Sequence, residues 1–379
     1  MRQKIKVLHV AEAGQGGVER YLETLLKFSN KQQVEDILVC SQNYDMNKFV
    51  NIASKVIQVN MTHRIDPKKD LFSIKRIRSL IKKYKPDIVY AHSSKAGALA
   101  RIANIGLRSK CIYNPHGWAF NEVPKNFKGK IKNNLYKIIE KIAAPFCSII
   151  ICISDFEKKT AIRNRIAKEN KLKIVYSGID LENNLSKNIK PDIKFPKNAF
   201  VIGMVGRITE TKAPDIFVKA AKRISKEIPN AYFILVGDGD LRVKIEQLID
   251  SLGIKDRFVI TGWVNNPREY MKIMDVGLLL SRWEGFGLVL PEYMYMKVPI
   301  VCTNVGGISD IIQNEINGLL VSSNDPRSVV TAVKRIYEDR NLRNKLISNG
   351  YKIVGSRFDV KREVLQTEQI YKKILVNEF

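Results

Sequence analysis

The sequence predicts an α/β protein built from two doubly wound parallel sheets, and three observations predict it. Apolar runs of strand length alternate with amphipathic helical stretches along the chain. The alternation starts twice, at Ile5 and at Phe200, and the stretch between, Asp180–Pro196, is polar, aperiodic and ends in proline. At 379 residues the chain is also long for a single core. These observations assign 1–185 to an N-terminal domain, 186–358 to a C-terminal one and 359–379 to a final helical segment.

The first domain opens with a strand at Ile5–Ala11, a tight loop Gly14-Gln15-Gly16-Gly17 and a helix Val18–Phe28. The loop does not complete Gly-x-Gly-x-x-Gly, because Arg20 holds the last position. Glu19 is expected as a first-turn charge. Strands follow near Asp36–Ser41, Val56–Val59, Asp87–His92 and Lys110–Asn114, with helices near Leu71–Tyr84 and Lys95–Leu107. A long helix Lys128–Ala144, a strand Ser148–Ile153, Ser154 as an N-cap and a strand Lys173–Tyr176 complete the domain. The second domain has strands at Phe200–Val205, Tyr232–Val236, Phe258–Thr261, Val276–Leu280 and Pro299–Thr303, then helices to the end. In such sheets ligands lie at the carboxyl ends of the strands, which places a cleft between the two domains.

Composition narrows the class. Apolar residues at 45% and charged ones at 27% describe a globular protein. The net charge of +26 is uneven: residues 1–185 hold 34 Lys/Arg against 16 Asp/Glu, and the rest 30 against 22. A basic first half calls for an anionic partner. The five cysteines, Cys40, Cys111, Cys147, Cys152 and Cys302, are odd in number and lack zinc spacing, which implies buried thiols in a reducing compartment. Met1-Arg2-Gln3-Lys4 mimics a secretory leader, but the apolar run behind it is short and interrupted by His9. The longest apolar run, Ile142–Ile153, contains Pro145 and falls short of the ~20 residues a spanning helix needs, so no transmembrane segment is expected.

The chemistry concentrates in Ser281-Arg282-Trp283-Glu284-Gly285-Phe286-Gly287-Leu288-Val289-Leu290-Pro291-Glu292. A helix starting near Leu288 puts Pro291 in its first turn, Glu284 in the strand-to-helix loop and Glu292 just inside the helix. Glycine backbone at a helix N-terminus suits a phosphate, and two carboxylates beside it suit ligand hydroxyls. Sugar plus phosphate suggests a sugar nucleotide. Gly206-Arg207 and Lys212 follow a strand at the same end of the sheet and suit a diphosphate, by charge-assisted hydrogen bonds. Asn114-Pro115-His116-Gly117-Trp118 makes His116 a site candidate, and Ala91-His92-Ser93-Ser94-Lys95 offers His92 and Lys95 to an acceptor or phosphate. Asp238-Gly239-Asp240 is read as a turn rather than a metal site.

Glu284-x7-Glu292 in this setting resembles the donor signature of the family 4 retaining glycosyltransferases, which have the GT-B fold of two Rossmann-like domains. The resemblance runs from Gly14 to Gly307 and is strongest from Gly203 to Asp310. It implies that Glu292 accepts from the nucleotide ribose, that Glu284 faces the donor sugar, and that Phe286, Gly287 and Leu288 meet phosphates and sugar through backbone. It implies a diphosphate clamp at Arg207 and Lys212, base contacts at Trp263 and Val264, a sugar contact for His116, and close backbone approach at Gly16 and Gly17. It also implies that the last helix crosses back to the first domain, and that Arg207 and Lys212 replace any metal. Tyr293 departs from the family, which has small residues there. His92-Ser-Ser-Lys-Ala-Gly and Asn114-Pro-His-Gly-Trp look like bacterial capsule and exopolysaccharide transferases.

The expected activity is retaining transfer of a hexosyl or N-acetylhexosaminyl group from a UDP-sugar to a lipid-linked saccharide. The alternatives are a soluble acceptor or a UDP-sugar epimerase of the same fold. Nothing matches a nucleic-acid-binding module, so no nucleic acid is expected. Two lysine-studded amphipathic stretches, Leu71–Lys85 and Lys125–Cys147, point to peripheral association with an anionic membrane surface, at the cytoplasmic face. Either stripe could equally pack on the domain core.

Overall fold

The computed structural model describes residues 4–14, 16–121, 127–182 and 193–378. The chain forms two compact units, Met1–Gly178 with Val360–Phe379, and Ile179–Asp359. Lys125 and most of the expected linker fall outside the described residues.

The first unit contains β1 (Ile5–Ala11), α1 (Gly17–Phe28), β2 (Val34–Cys40), β3 (Lys55–Gln58), α2 (Pro67–Tyr84), β4 (Ile88–His92), α3 (Ser94–Ala103), β5 (Lys110–Asn114), α4 (Phe127–Ala143), β6 (Ile149–Cys152), α5 (Asp155–Arg163) and β7 (Leu172–Ile174). Its strands are all parallel, in the order β3-β2-β1-β4-β5-β6-β7. The strand period of two divides the core. Leu8 and Val10 of β1 face one layer with Ile77 and Leu99, while Val7 and Ala11 face the other with Leu22 and Val364. Ser154 does cap α5, accepting from the Glu157 amide at 3.1 Å.

The second unit contains β8 (Phe200–Val205), α6 (Pro214–Glu227), β9 (Ala231–Val236), α7 (Arg242–Ser251), β10 (Phe258–Ile260), α8 (Pro267–Met271), β11 (Val276–Leu279), α9 (Val289–Tyr295), β12 (Ile300–Thr303), β13 (Leu319–Val321), α10 (Pro326–Glu338) and α11 (Arg340–Arg357). These strands are also parallel, in the order β10-β9-β8-β11-β12-β13. The sequence reading runs helices to the end and lacks β13, a three-residue edge strand paired with β12. Tyr293 has a structural account: its hydroxyl accepts from the Val205 amide at 3.0 Å, and its ring fills space that only Gly277 leaves.

Both sheets are doubly wound. In each, the strand order reverses beside the first strand, between β1 and β4 and between β8 and β11, and such switch points open a crevice at the carboxyl ends.

The chain re-enters the first unit at Val360, and α12 (Val360–Leu375) packs there against α1. Val364, Ile370 and Tyr371 join the core, and Glu368 accepts from the Asn30 amide at 2.8 Å. Glu363, buried in the same helix, accepts from the Gly178 amide at 2.6 Å, where the chain leaves for the second unit. Burial pushes the Glu363 carboxyl up to about 8, against the opposing pull of its bonds from Gly178 and Tyr21. Its ordinary value is 4.5, so between about 4.5 and 8 the folded chain holds a proton that the unfolded chain has lost. Stability is therefore fully present below that window and falls as pH rises through it. Glu363→Gln, whose carboxamide still accepts from Gly178, is expected to flatten this fall. Melting temperatures of both proteins from pH 5 to 8 check it, and parallel curves would contradict it.

Candidate functional site

The residues singled out by sequence fall at the carboxyl ends of strands, in two groups, one per unit. In the second unit, Gly206 and Arg207 follow β8, and a short 3₁₀ turn, Glu210–Lys212, carries Lys212. Glu284 lies in the loop after β11, and Glu292 in α9. The structure brings Lys212 and Glu284 together as an ion pair across the switch point. Ser281 Oγ donates to the same Glu284 oxygen at 3.0 Å. Arg207 is exposed, and among the described residues no side-chain partner engages it.

Gly287 and Gly306 shape this loop. Gly287 has φ +91°, which disfavours a side chain, and allows the turn into α9. Gly306 has φ +56°, and a Cβ there would come within 1.9 Å of the Glu284 carbonyl oxygen. The Gly307 amide donates to that oxygen at 3.0 Å, so the β12 loop braces the β11 loop. Phe286 is buried, and Leu288 precedes α9, half-buried. The helix has seven residues, with Pro291 in its first turn. Trp263 is 58% exposed beyond β10, with half-buried Val264 beside it.

Three supporting residues were not singled out by the sequence. Arg282 pairs with Asp215 at 2.8 Å and donates to the Glu210 carbonyl at 2.6 Å and to Asn324 at 2.7 Å, bracing the turn that carries Lys212. Arg268, buried, meets Glu292 at 3.3 Å and donates to the Asp180 carbonyl at 2.6 Å. Ser281 completes the set. Asp238 accepts from the Gly239 amide at 2.8 Å and from Arg242 at 2.7 Å, as a turn residue does.

In the first unit, Gly16 caps α1 and Gly17 begins it. Glu19 is indeed in its first turn, paired with Lys48 at 3.4 Å. His116 lies two residues past β5 with φ +51°, its amide donating to Asn114 Oδ1 at 3.0 Å. Ser93, just past β4, has φ +77°. Positive φ at non-glycine residues costs energy and tends to collect where geometry serves function. His92 departs from its expected ligand contact. It is wholly buried, with one ring nitrogen 3.1 Å from His9 and the other 3.1 Å from His116. Lys95 is committed as well, to Asp70 at 2.6 Å and the Arg64 carbonyl at 3.0 Å.

Family models match both units: "Glycosyltransferase Family 4" over residues 15–183 and "Glycosyl transferases group 1" over 186–353. The chain is 30% identical to an Escherichia coli UDP-Gal:alpha-D-GlcNAc-diphosphoundecaprenol alpha-1,3-galactosyltransferase, covering 99% of this chain and 98% of that one. The chain belongs to glycosyltransferase family 4. It is 29% identical to the Staphylococcus aureus capsular polysaccharide biosynthesis glycosyltransferase CapM, over 92% of this chain and 93% of that one. Among solved structures it is similar to Anabaena HepE crystallised with UDP, with a TM-score of 0.78 and 21% identity over 97% of this chain and 100% of that one. That likeness is one of fold, GT-B.

This family 4 transferase also carries an outward apolar stripe. On α4, Phe127, Ile131, Leu135, Ile138 and Ile142 are 48–78% exposed. The helix is held from its other side, where buried Glu140 pairs with Arg101 at 2.8 Å and accepts from the Tyr113 hydroxyl at 2.7 Å. The packing alternative for this stripe is therefore overturned. On α2 the outcome is split: Ile77, Leu80 and Ile81 are core, and only Leu71 and Phe72 stand exposed. Among the described residues no helix is long and apolar enough to cross a membrane.

Proposed function

We propose that this glycosyltransferase moves a sugar from a UDP-sugar to a lipid-linked saccharide, with retention at the anomeric carbon, in bacterial surface polysaccharide synthesis. The observation that carries the donor half is the grouping of Arg207, Lys212, Glu284 and Glu292 beside the switch point of the second sheet, with Lys212 already on Glu284. Two cations suit a diphosphate, and two carboxylates suit ribose and sugar hydroxyls. The full-length likeness to a transferase whose acceptor is named as a diphosphoundecaprenol saccharide supports the acceptor half.

In this reading the acceptor hydroxyl attacks the anomeric carbon on the face from which UDP departs. The bond to the leaving oxygen breaks with its electron pair going to the phosphate, and that phosphate takes the hydroxyl's proton. Arg207 and Lys212 stabilise the charge that develops on UDP, the task a metal performs elsewhere, so transfer is metal independent. Glu292 holds the ribose and Glu284 the sugar. Phe286, Gly287 and Leu288 offer backbone to the donor, Trp263 and Val264 meet the base, and Gly16, Gly17 and His116 serve the sugar end.

Arg207→Ala, Lys212→Ala and Glu292→Ala should each weaken UDP binding by calorimetry about tenfold or more, as loss of a charge-assisted bond of ~1.5–3 kcal/mol would do. Wild-type transfer should persist in chelator. Unchanged UDP affinity in all three variants, or activity that needs added divalent metal, would contradict the donor assignment.

The α4 stripe supports peripheral binding to an anionic membrane at the cytoplasmic face, with Lys128, Lys130, Lys132 and Lys141 exposed around it. Each lysine near such a surface contributes roughly 1 kcal/mol, and burying half-exposed apolar side chains adds on the order of 1 kcal/mol each. The protein is expected to co-sediment with phosphatidylglycerol-containing vesicles, and not with phosphatidylcholine alone. Ile131→Ser with Ile138→Ser, or Lys128, Lys132 and Lys141→Glu together, should abolish this while UDP still binds. Binding to neither vesicle would favour a soluble acceptor, and self-association lost in the serine variant would assign the stripe to a second copy.

A further inference from the structure

The face of the first sheet covered by α1 and α12 contains a layer of polar side chains that no step above uses. Register explains how it forms. His9 on β1 pairs with Tyr90 on β4, Ala11 pairs with His92, and Val7 pairs with Asp36 on β2. Period-two alternation sends Asp36, His9, Tyr90 and His92 to the same face, among Tyr21 of α1 and Tyr371 of α12. Asp36, His9 and His92 are buried.

These groups form one unbroken hydrogen-bonded line. Lys31 Nζ, which is partly exposed, donates to Asp36 Oδ2 at 2.9 Å. Asp36 Oδ1 is 3.2 Å from His9 Nε2, His9 Nδ1 is 3.1 Å from His92 Nε2, and His92 Nδ1 is 3.1 Å from His116 Nε2. The three rings are nearly parallel, 21° between the first two and 23° between the last two. His116 Nδ1, at the end of the line, has no protein partner among the described residues.

With His9 neutral the line has a direction, because its far end is an anion. Burial alone would raise Asp36, but the bonds from His9 and Lys31 outweigh it and hold its carboxyl below the usual range. An ionised carboxylate only accepts, so His9 must donate to it from Nε2. A neutral His9 has one donor and one acceptor, so with His9 in that form its Nδ1 accepts from His92, and His92 Nδ1 accepts from His116. A protonated His9 would donate from both nitrogens and reverse the rest of the line. Burial lowers His92 well below its ordinary value and takes His116 to about 3, which keeps both rings neutral at pH 7.

We propose that Asp36, His9 and His92 are positioning residues that fix the tautomer and ring orientation of His116, so that it presents Nδ1 as a hydrogen-bond acceptor to a substrate hydroxyl. The functional half of this rests on the site reading above, in which His116 serves the sugar end. The tautomer half stands on the line with His9 in its neutral form. An acceptor held against donation discriminates between a hydroxyl, which can donate to it, and a carbonyl or ether oxygen, which cannot. The sheet thus extends a buried carboxylate's preference to the substrate through three rings, in the way that partners behind a metal-ligating histidine fix its tautomer.

The test is 15N NMR of the full chain labelled at histidine, read at pH 7. Only four histidines are present, so assignment by single substitution is direct. In the wild type His116 Nδ1 should show the pyridine-like shift of an unprotonated nitrogen and Nε2 the pyrrole-like shift of a protonated one. Asp36→Asn replaces the obligate acceptor by a group that can also donate, and is expected to move His116 Nδ1 towards protonation. It should lower kcat on the order of tenfold, the cost of one mispaired polar contact, and leave UDP affinity unchanged. His9→Gln can donate to Asp36 and accept from His92, and should keep the wild-type shifts and most activity. His9→Leu is the second variant should Asp36→Asn not fold, and should lose the tautomer bias. A protonated His116 Nδ1 in the wild type, or unaltered His116 shifts in Asp36→Asn and His9→Leu, would overturn the proposal. If the tautomers behave as described but His116→Ala turns over like the wild type, the site reading of His116 fails, and with it the proposed use of the acceptor.

Discussion

The ion pair between Lys212 and Glu284 is the contact on which the second unit's site depends. Glu284 is largely buried, and a buried carboxylate without a cation would be costly. Lys212 satisfies that demand, and a set of braces places it there: Arg282 ties the Glu210–Lys212 turn to α6 through Asp215, and Gly306 and Gly307 press the β12 loop onto the Glu284 carbonyl. The same lysine is suited to a diphosphate. A donor would therefore compete with Glu284 for Lys212, and a sugar hydroxyl would have to meet the carboxylate that Lys212 leaves. Exchange of partners, rather than an empty preformed cradle, is how this site would couple phosphate binding to sugar binding.

The first unit handles buried polarity differently. Its sheet contains Asp36, His9, Tyr90 and His92 on one face, where apolar residues would give a simpler core. Each member needs the next: removing one leaves a buried donor or acceptor unpaired, at about 1–3 kcal/mol. α12 closes this face, so the segment that returns from the second unit is also the lid on the histidine line. Outside, α4 is anchored by Glu140 on Arg101 and Tyr113, which leaves its apolar side to whatever the protein meets.

Much of this was legible in the sequence, because parallel sheets write themselves as apolar runs separated by turn residues. β8 appears at Phe200–Val205 as expected, Glu284 lies in the strand-to-helix loop after β11, and Glu292 lies just inside α9. What escaped had weak local signals. β13 is three residues long and leans on β12 for its definition. His9 interrupts the apolar run of Val7, Leu8, Val10 and Ala11, and only its register with β2 and β4 reveals that it is one link of a line. His92 was visible as a strand-end histidine, but whether such a residue faces ligand or core is decided by neighbours far away in sequence. Arg268 and Arg282 look like ordinary surface charges until folding brings them to Glu292 and Asp215. The direction of the α4 stripe is likewise set by Glu140's partners, not by the stripe itself.

Glu284→Gln isolates the exchange of partners at Lys212. This change keeps the side chain's size and its bond from Ser281, but removes the charge that competes for Lys212. Calorimetric titration should find UDP bound more tightly than by the wild type, while sugar transfer falls. Weaker UDP binding by Glu284→Gln would mean that the carboxylate helps to hold the nucleotide, and would contradict the account.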